Sequence, residues 1–266
     1  MKHSTASQPV KSVAFTLIEL LVVIAIIGVL AAMILPVLGH VKDKANENKA
    51  RTEITMIGQA IQSYYADNSR YPVSSPVMTA AANFKDDFTY GGTFTPPGGA
   101  AQFDVRDFAS NTLRTNDDVI AILMDIPTYP GSGLPTCNTN HAKNPKQIKY
   151  LNAKMSGWDS TQGKAVAGVG NDLVYRDPWG NPYIISFDLN YDEKCRDSVY
   201  RRSAVSFQGT AGAGFNGLSS LDTSGASDTF EHNGGFMVWS LGIDQNMSST
   251  AKAIAGVNKD NVLSWK

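Results

Sequence analysis

From Phe15 to Leu38 the chain is almost wholly apolar, and a single carboxylate, Glu19, interrupts the run near its start. As a helix rising about 1.5 Å per residue, the run measures roughly 36 Å, enough for a bilayer core. A charged side chain at membrane depth costs on the order of 3 kcal/mol or more, so Glu19 needs a specific partner or task. After Pro36 the pattern changes. Ile54, Ile57, Ile61 and Tyr64 or Tyr65 recur at spacings of three and four, the period of one buried helical face. The spacing predicts one continuous helix from about Thr16 to about Asn68. Its end is marked by Asp67-Asn68-Ser69-Arg70-Tyr71-Pro72, where turn formers and a proline stop it.

The rest of the chain reads as short elements between loops. Gly91-Gly92 and Pro96-Pro97-Gly98-Gly99 mark a loop-rich insertion from Val73 to about Leu113. Asn116-Asp117-Asp118 before Val119, Ile120, Ile122 and Leu123 predicts a capped helix start, because such side chains satisfy the free amides of a first turn. A second Pro/Gly-rich excursion covers residues 127–145. Asp172-Leu173-Val174-Tyr175-Arg176 and Ile184-Ile185-Ser186-Phe187 flank the turn-forming string Asp177-Pro178-Trp179-Gly180-Asn181-Pro182-Tyr183, a hairpin-like connection. Further strands are predicted at Ser203 to Phe207 and Phe236 to Leu241. The fold class is α+β: a long helix whose second half packs on a small antiparallel sheet, with loop-rich insertions.

Composition narrows the function classes. Among 266 residues, 18% are charged and 42% hydrophobic, and the formal net charge is -1. With no dense Lys/Arg cluster, the chain lacks the footprint for nucleic-acid binding, and no nucleic-acid partner is expected. The two cysteines, Cys137 and Cys195, are too few for a disulfide scaffold; they can pair if the domain is exported or stay as two buried thiols. Lys2 and Lys11, without an acid before Phe15, favour a cytoplasmic amino terminus. His3, His40, His141 and His232 show no metal-ligand spacing, and neither a nucleophile elbow nor a phosphate loop occurs. Asp188-Leu189-Asn190-Tyr191-Asp192 opens like an EF-hand, but Glu193 and Val199 stand where the motif needs glycine and glutamate. No catalytic constellation is visible, and an enzyme is not expected.

Three explanations compete for the apolar run. A secretory signal peptide cut near Ala31 and Ala32 gives no reason for Glu19, and a plain single-span anchor leaves Glu19, Gly28 and Pro36 without a purpose. The third rests on Ala14-Phe15-Thr16-Leu17-Ile18-Glu19-Leu20-Leu21-Val22-Val23-Ile24, which resembles the processing site of type IV prepilins and type II secretion pseudopilins. The resemblance implies cleavage between Ala14 and Phe15 by a prepilin peptidase that also N-methylates Phe15. It implies that Glu19 neutralises the amino terminus of a neighbouring subunit, a pairing that makes two costly charges tolerable in lipid. Gly28 and Pro36 stand where the family often places them; Ala14 replaces the usual glycine before the cut.

Downstream, the Tyr-x-x-Asp-Asn-x-Arg-Tyr-Pro pattern of Tyr64 to Pro72 and the string Asp177 to Tyr183, with Pro178, Trp179 and Gly180, resemble the major pseudopilin of the type II secretion system. Trp239-Ser240-Leu241-Gly242-Ile243-Asp244 and Asn258-Lys259-Asp260-Asn261 resemble the two ends of that family's calcium loop. This implies calcium held by the carbonyls of Ser240 and Leu241, the side chains of Asp244 and Asp260, and Asn258; a metal-free loop held by hydrogen bonds is the alternative. The implied organisation is a leader (1–14), a transmembrane and filament-core helix (15–38), its amphipathic continuation (39–72), an enlarged region (73–171), and an antiparallel sheet with a terminal loop (172–266). The implied protein is an inner-membrane, single-pass subunit with a periplasmic domain. Its implied partners are copies of itself, minor pseudopilins, the prepilin peptidase/N-methyltransferase and an inner-membrane assembly platform. The alternatives are a type IV pilin for adhesion, motility or DNA uptake, and a membrane-anchored periplasmic enzyme or binding protein.

Overall fold

The computed structural model describes residues 16–156, 158–159 and 164–266, with backbone alone at 34–38, 40, 158–159 and 164–165. The chain divides into two units, Met1–Lys44 and Ala45–Lys266. Helix α1 (Leu17–Asn68) starts in the first and ends in the second. Its backbone stays helical past Gly28 and Pro36. In the first unit the described apolar side chains are exposed on every side of the helix, from Leu17 at 80% to Met33 at 68%. Among the described residues, no helix is long and apolar enough to cross a membrane. The apolar side chains described, 17–33, measure about 25 Å along the axis against a hydrocarbon core of about 30 Å. The rest of the expected run, Phe15 and the side chains of 34–38, lies outside the described residues.

In the second unit α1 buries the predicted stripe: Ile54, Ile57, Ile61 and Tyr64 are all inside, joined by Ala50, while Arg51 and Glu47 pair at 2.9 Å on the outer face. Each large aliphatic side chain so buried stabilises the fold by about 1.5–3 kcal/mol. At the helix end, Ser69 turns to φ 51, the Asn68 amide donates to the Tyr64 carbonyl at 3.0 Å, and Asp67 accepts from the Tyr150 hydroxyl at 2.9 Å.

The stripe covers one face of a four-stranded antiparallel sheet, β1 (Phe88–Tyr90), β2 (Ile184–Phe187), β3 (Phe236–Ser240) and β4 (Val262–Leu263), ordered β1-β2-β3-β4. Phe187 stands opposite Phe88 on one side and Phe236 on the other; Trp239 stands opposite Ile184 and Leu263. The period of two sorts the strands. Ile185, Phe187, Val238 and Val262 join the α1 core, whereas Ile184, Met237, Trp239 and Leu263 face a second core with Cys195, Val199, Tyr200, Val205 and Phe230. Asp197 sits in that second layer, accepting from the Trp239 indole at 2.9 Å, the Ser186 hydroxyl at 2.7 Å and the Val199 and Tyr200 amides.

Several local expectations are corrected. The edge strand β1 comes from the stretch expected to be loop, where three residues between Asp87 and Gly91 give too short a pattern to read. Gly91 permits the chain to turn against the next ribbon, because a Cβ there would lie 2.1 Å from the Val105 carbonyl oxygen. Ser203 to Phe207 forms a single helical turn, α4 (Ser203–Ser206), instead of a strand. Its first amide is held by Asp228 at 2.8 Å, and the Ser206 hydroxyl donates to the Tyr200 carbonyl. Helices α2 (Ser75–Phe84) and α3 (Asp117–Leu123) precede it in the chain. Asn116 does stand before α3, but its side chain makes no capping bond. It crosses instead to the strand region, donating to the Tyr175 and Tyr183 carbonyls at 2.9 and 2.8 Å and accepting from the Tyr175 amide at 2.8 Å. The two cysteines are free: Cys137 packs against the α1 core and Cys195 lies within the second. Burial pushes both thiols above their ordinary range.

Candidate functional site

The functional residues read from the sequence fall in two places. At the amino-terminal end, the cleavage position Ala14/Phe15 lies outside the described residues. Thr16 and Glu19 are described, and they form a reciprocal pair. The Thr16 amide and hydroxyl donate to Glu19 Oε2 at 2.8 and 2.7 Å, and the Glu19 amide donates to Thr16 Oγ1 at 3.3 Å. This is a capping box, in which Thr and a Glu three residues on satisfy each other's free amides. Glu19 therefore has a local task in the single chain that the search for a distant partner overlooked, although Thr-x-x-Glu was legible at 16–19. Gly28 lies on the exposed helix with no atom within 4 Å of where its Cβ would be, so in the single chain nothing local requires glycine there.

In the second unit, the string Asp177 to Tyr183 is organised by its first residue. Asp177 is fully buried. Its Oδ1 accepts from the Trp179 and Asn181 amides at 3.0 and 2.9 Å, its Oδ2 from the Ser240 hydroxyl at 2.6 Å, and its carbonyl from the Gly180 amide. Burial pushes its carboxyl up to about 7 despite these donors, which favour the charged form. Gly180, at φ 97, takes the left-handed position the turn requires. Pro178 and half-buried Trp179 form part of the wall of a cleft, and Trp179 also packs against the α1 core. Tyr183 is buried, and its hydroxyl donates to Glu53 of α1 at 2.6 Å. Arg176 and Pro182 are bridged, so the string is closed as a hairpin root, but the flanking strands then separate: Tyr175–Arg176 pairs with Gly168–Val169, and β2 pairs with β1 and β3. Sequence reading saw this turn but missed Asp177 as its anchor. The signal was an aspartate opening a turn, whose carboxylate can bond amides two and four residues on.

Ser240 links this turn to the terminal loop. Its hydroxyl also accepts from the Gly242 amide at 3.2 Å. Leu241 is buried beside it in the second core. Asp244 and Asp260 are neighbours, the Asp244 amide donating to Asp260 Oδ2 at 3.0 Å, while the buried Oδ1 of Asp260 has no hydrogen-bond partner among the described residues. Burial, with Asp260 nearby, pushes the Asp244 carboxyl up to about 6. The Asn258 side chain bonds within the loop. It accepts from the Ser248 amide and donates to the Ser248 and Ala251 carbonyls, which closes the intervening loop. Among the described residues, no group of three or more His, Cys, Asp or Glu side chains is placed to hold a metal ion. Asp244 and Asp260 thus bring two carboxylates together, one oxygen of which is buried without a partner among the described residues, while the Asn258 side chain is engaged within the loop.

Comparison with known proteins bears mainly on the amino-terminal part. Residues 14–35 match the prokaryotic N-terminal methylation motif, and residues 37–106 match type II secretion system (T2SS), protein G. The start of this chain resembles that of core protein G. Type II secretion system core protein G of Aeromonas hydrophila is 41% identical over 69 residues, 26% of this chain and 48% of the relative. Those of Pectobacterium carotovorum subsp. carotovorum and Escherichia coli (strain K12) are 47% identical over 66 residues and 43% over 65, covering 42% and 45% of each relative. The chain spans just under half the length of these curated relatives. No solved structure matches. The resemblance read from the sequence is thus the one the comparisons find, and the matched families stop before the Asp177 turn and the terminal loop.

Proposed function

We propose that this chain is a structural subunit of a type II secretion pseudopilus, of the major pseudopilin kind, and not an enzyme. The observation that carries the proposal is the succession of a methylation motif (14–35) and a core protein G match (37–106), joined by one 52-residue helix that runs from the first into the second. The exposed apolar residues of the first unit then have a role: they are covered by lipid before assembly and by neighbouring subunits afterwards. The α1 stripe on an antiparallel sheet is compatible with a pilin-like fold, with the soluble domain in the periplasm and the apolar helix as its single inner-membrane anchor. Maturation would cut before Phe15, and the new amine would be paired by Glu19 of an adjacent copy. Partners would be further copies, minor pseudopilins, the prepilin peptidase and the assembly platform. Calcium, if bound, would be held by Asp244 and Asp260 with the carbonyls of Ser240 and Leu241, neutralising two neighbouring acids, while Asn258 shapes the loop.

The test uses the two jobs now visible for Glu19. Mass spectrometry of the mature protein is expected to find N-methylphenylalanine at Phe15; an intact leader or a terminus near Ala32 would sink the assignment. Glu19→Gln keeps a capping-box side chain but removes the charge. It is expected to be processed and inserted yet excluded from filaments. Filaments formed normally by this variant would reduce Glu19 to a helix cap.

A further inference from the structure

The second unit contains a cleft of about 1140 Å³. Its walls come from the enlarged middle region, at Gly92, Thr93, Thr95, Thr112 to Thr115, Asp117 and Val166–Ala167, and from the Asp177 turn with Gln245. Ligand pockets commonly occupy about 300–1,000 Å³, so this one has room for more than a single small ring.

The chemistry of the walls is polar but nearly charge-neutral. The Arg176 guanidinium pairs with Asp172, its Nη1 at 2.9 Å from Oδ1, and Arg114 pairs with Asp118 at 3.3 Å. Asp117, the acid on the wall, accepts from Thr115 at 2.6 Å and Tyr129 at 2.7 Å, and burial raises its carboxyl. Both arginines of the wall are therefore paired, so a phosphate finds no free cation among the described residues, and the one further acid is engaged by two hydroxyls. What the wall presents is Trp179 beside a pair of carboxamides. Asn181 Nδ2 donates to Gln245 Oε1 at 3.2 Å, leaving Asn181 Oδ1 as a free acceptor and Gln245 Nε2 as a free donor, with no partner among the described residues.

Two features show that this pair is held in place. The Asp177 carboxylate fixes both the Trp179 and Asn181 amides, so the turn cannot rotate away from the cleft. Gln245 sits at φ 55, a left-handed conformation that a glycine would adopt with less strain. A strained non-glycine residue that points a carboxamide into a cleft is the kind of feature from which function is inferred.

An aromatic plate beside a fixed donor and acceptor, without a free cation, matches a ring that has an apolar C–H face and hydroxyls around its edge. We infer that this cleft binds a neutral oligosaccharide, with one sugar ring stacked on Trp179 and its hydroxyls shared by Asn181 and Gln245. The inference goes beyond the secretion role and does not depend on it.

The experiment is saturation-transfer NMR on the full chain in a detergent without a sugar head group. The probes are maltotetraose, cellotetraose and chitotetraose, with a heparin-derived tetrasaccharide and an extended Ala/Gly peptide as competing classes. At least one neutral tetrasaccharide is expected to receive transfer at its ring C–H protons. Trp179→Ala and Gln245→Gly should each weaken that binding about tenfold or more, and Trp179→Phe should retain most of it. Because Trp179→Ala can disturb the turn, Gln245→Gly is the deciding variant: it relaxes the left-handed backbone, so its melting temperature should be unchanged or higher while binding weakens. No transfer to any neutral sugar, transfer confined to the anionic sugar or the peptide, or undiminished binding by Gln245→Gly overturns the inference.

Discussion

Asn116→Ala is expected to be among the most damaging single polar substitutions in this chain. The side chain is fully buried and joins the start of α3 to the segments on either side of the Asp177 turn. Truncation removes three hydrogen bonds, but their loss is unequal. The Tyr175 carbonyl keeps the Tyr183 amide at 3.0 Å, so its second bond is lost at modest cost. The Tyr175 amide and the Tyr183 carbonyl lose the Asn116 partner altogether. An orphaned buried polar group costs about 1–3 kcal/mol, so two give roughly 2–6 kcal/mol. Against a typical stability of about 5–15 kcal/mol, that is a large fraction. Urea unfolding followed by tryptophan fluorescence reads it directly: with a slope near 3 kcal/mol/M, a loss of about 4 kcal/mol moves the midpoint down by about 1.3 M. Thr52→Ala, on the exposed face of α1 where the hydroxyl only bonds back to the Asn48 carbonyl, is the matched control; it should change stability by less than about 0.5 kcal/mol. If the Asn116→Ala midpoint falls by no more than the control's, the cross-link does not hold the turn to α3.

Tyr183→Phe removes the hydroxyl that donates to Glu53, a carboxyl already raised by burial; a loss of about 1–2 kcal/mol is expected in the same assay, and an unchanged midpoint would break the proposed link between the turn and α1. Burial pushes the Asp87 and Asp177 carboxyls up to about 7. The folded chain then holds protons that the unfolded chain releases near pH 4, so this contribution is full below that pH and is lost as pH rises through about 7, with a slope of at most about 1.4 kcal/mol per pH unit for each group. Urea midpoints should therefore fall between about pH 5 and 8, less steeply in Asp177→Asn; a rise over that range would contradict the burial argument. Calcium at a hundredfold excess over its dissociation constant should raise stability by about 2.7 kcal/mol, seen as a melting shift reversed by chelator and absent in Asp260→Asn; no shift would leave the loop to its hydrogen bonds.

Much of the fold was legible because it depends on local periodicity. Ile54, Ile57 and Ile61 announce a helical stripe at any tertiary arrangement, and Asp67 to Pro72 stop the helix by backbone chemistry alone. Phe236 to Leu241 and Ile184 to Phe187 read as strands, and the observed strands Phe236–Ser240 and Ile184–Phe187 lie there. Phe88–Tyr90 and Ser203–Ser206 failed for one reason: three or four residues carry too little pattern, and their state is set by neighbours distant in sequence, Phe187 for the first and Asp228 for the second.

The site divides in the same way. The Thr16-to-Glu19 box and the amide bonds of the Asp177 turn are local, since those donors and acceptors lie within four residues, and the sequence alone determined them together with the apolar run and its resemblance to a pseudopilin start. The roles of Asn116, Asp197 and Glu53, the separation of Cys137 from Cys195, the bonding of Asn258 to Ser248 and Ala251, and the cleft between Trp179 and the middle region were decided only by tertiary structure. Each depends on groups tens of residues apart meeting at hydrogen-bond distance, and nothing in the local pattern of a chain encodes which distant partner a buried polar side chain will find.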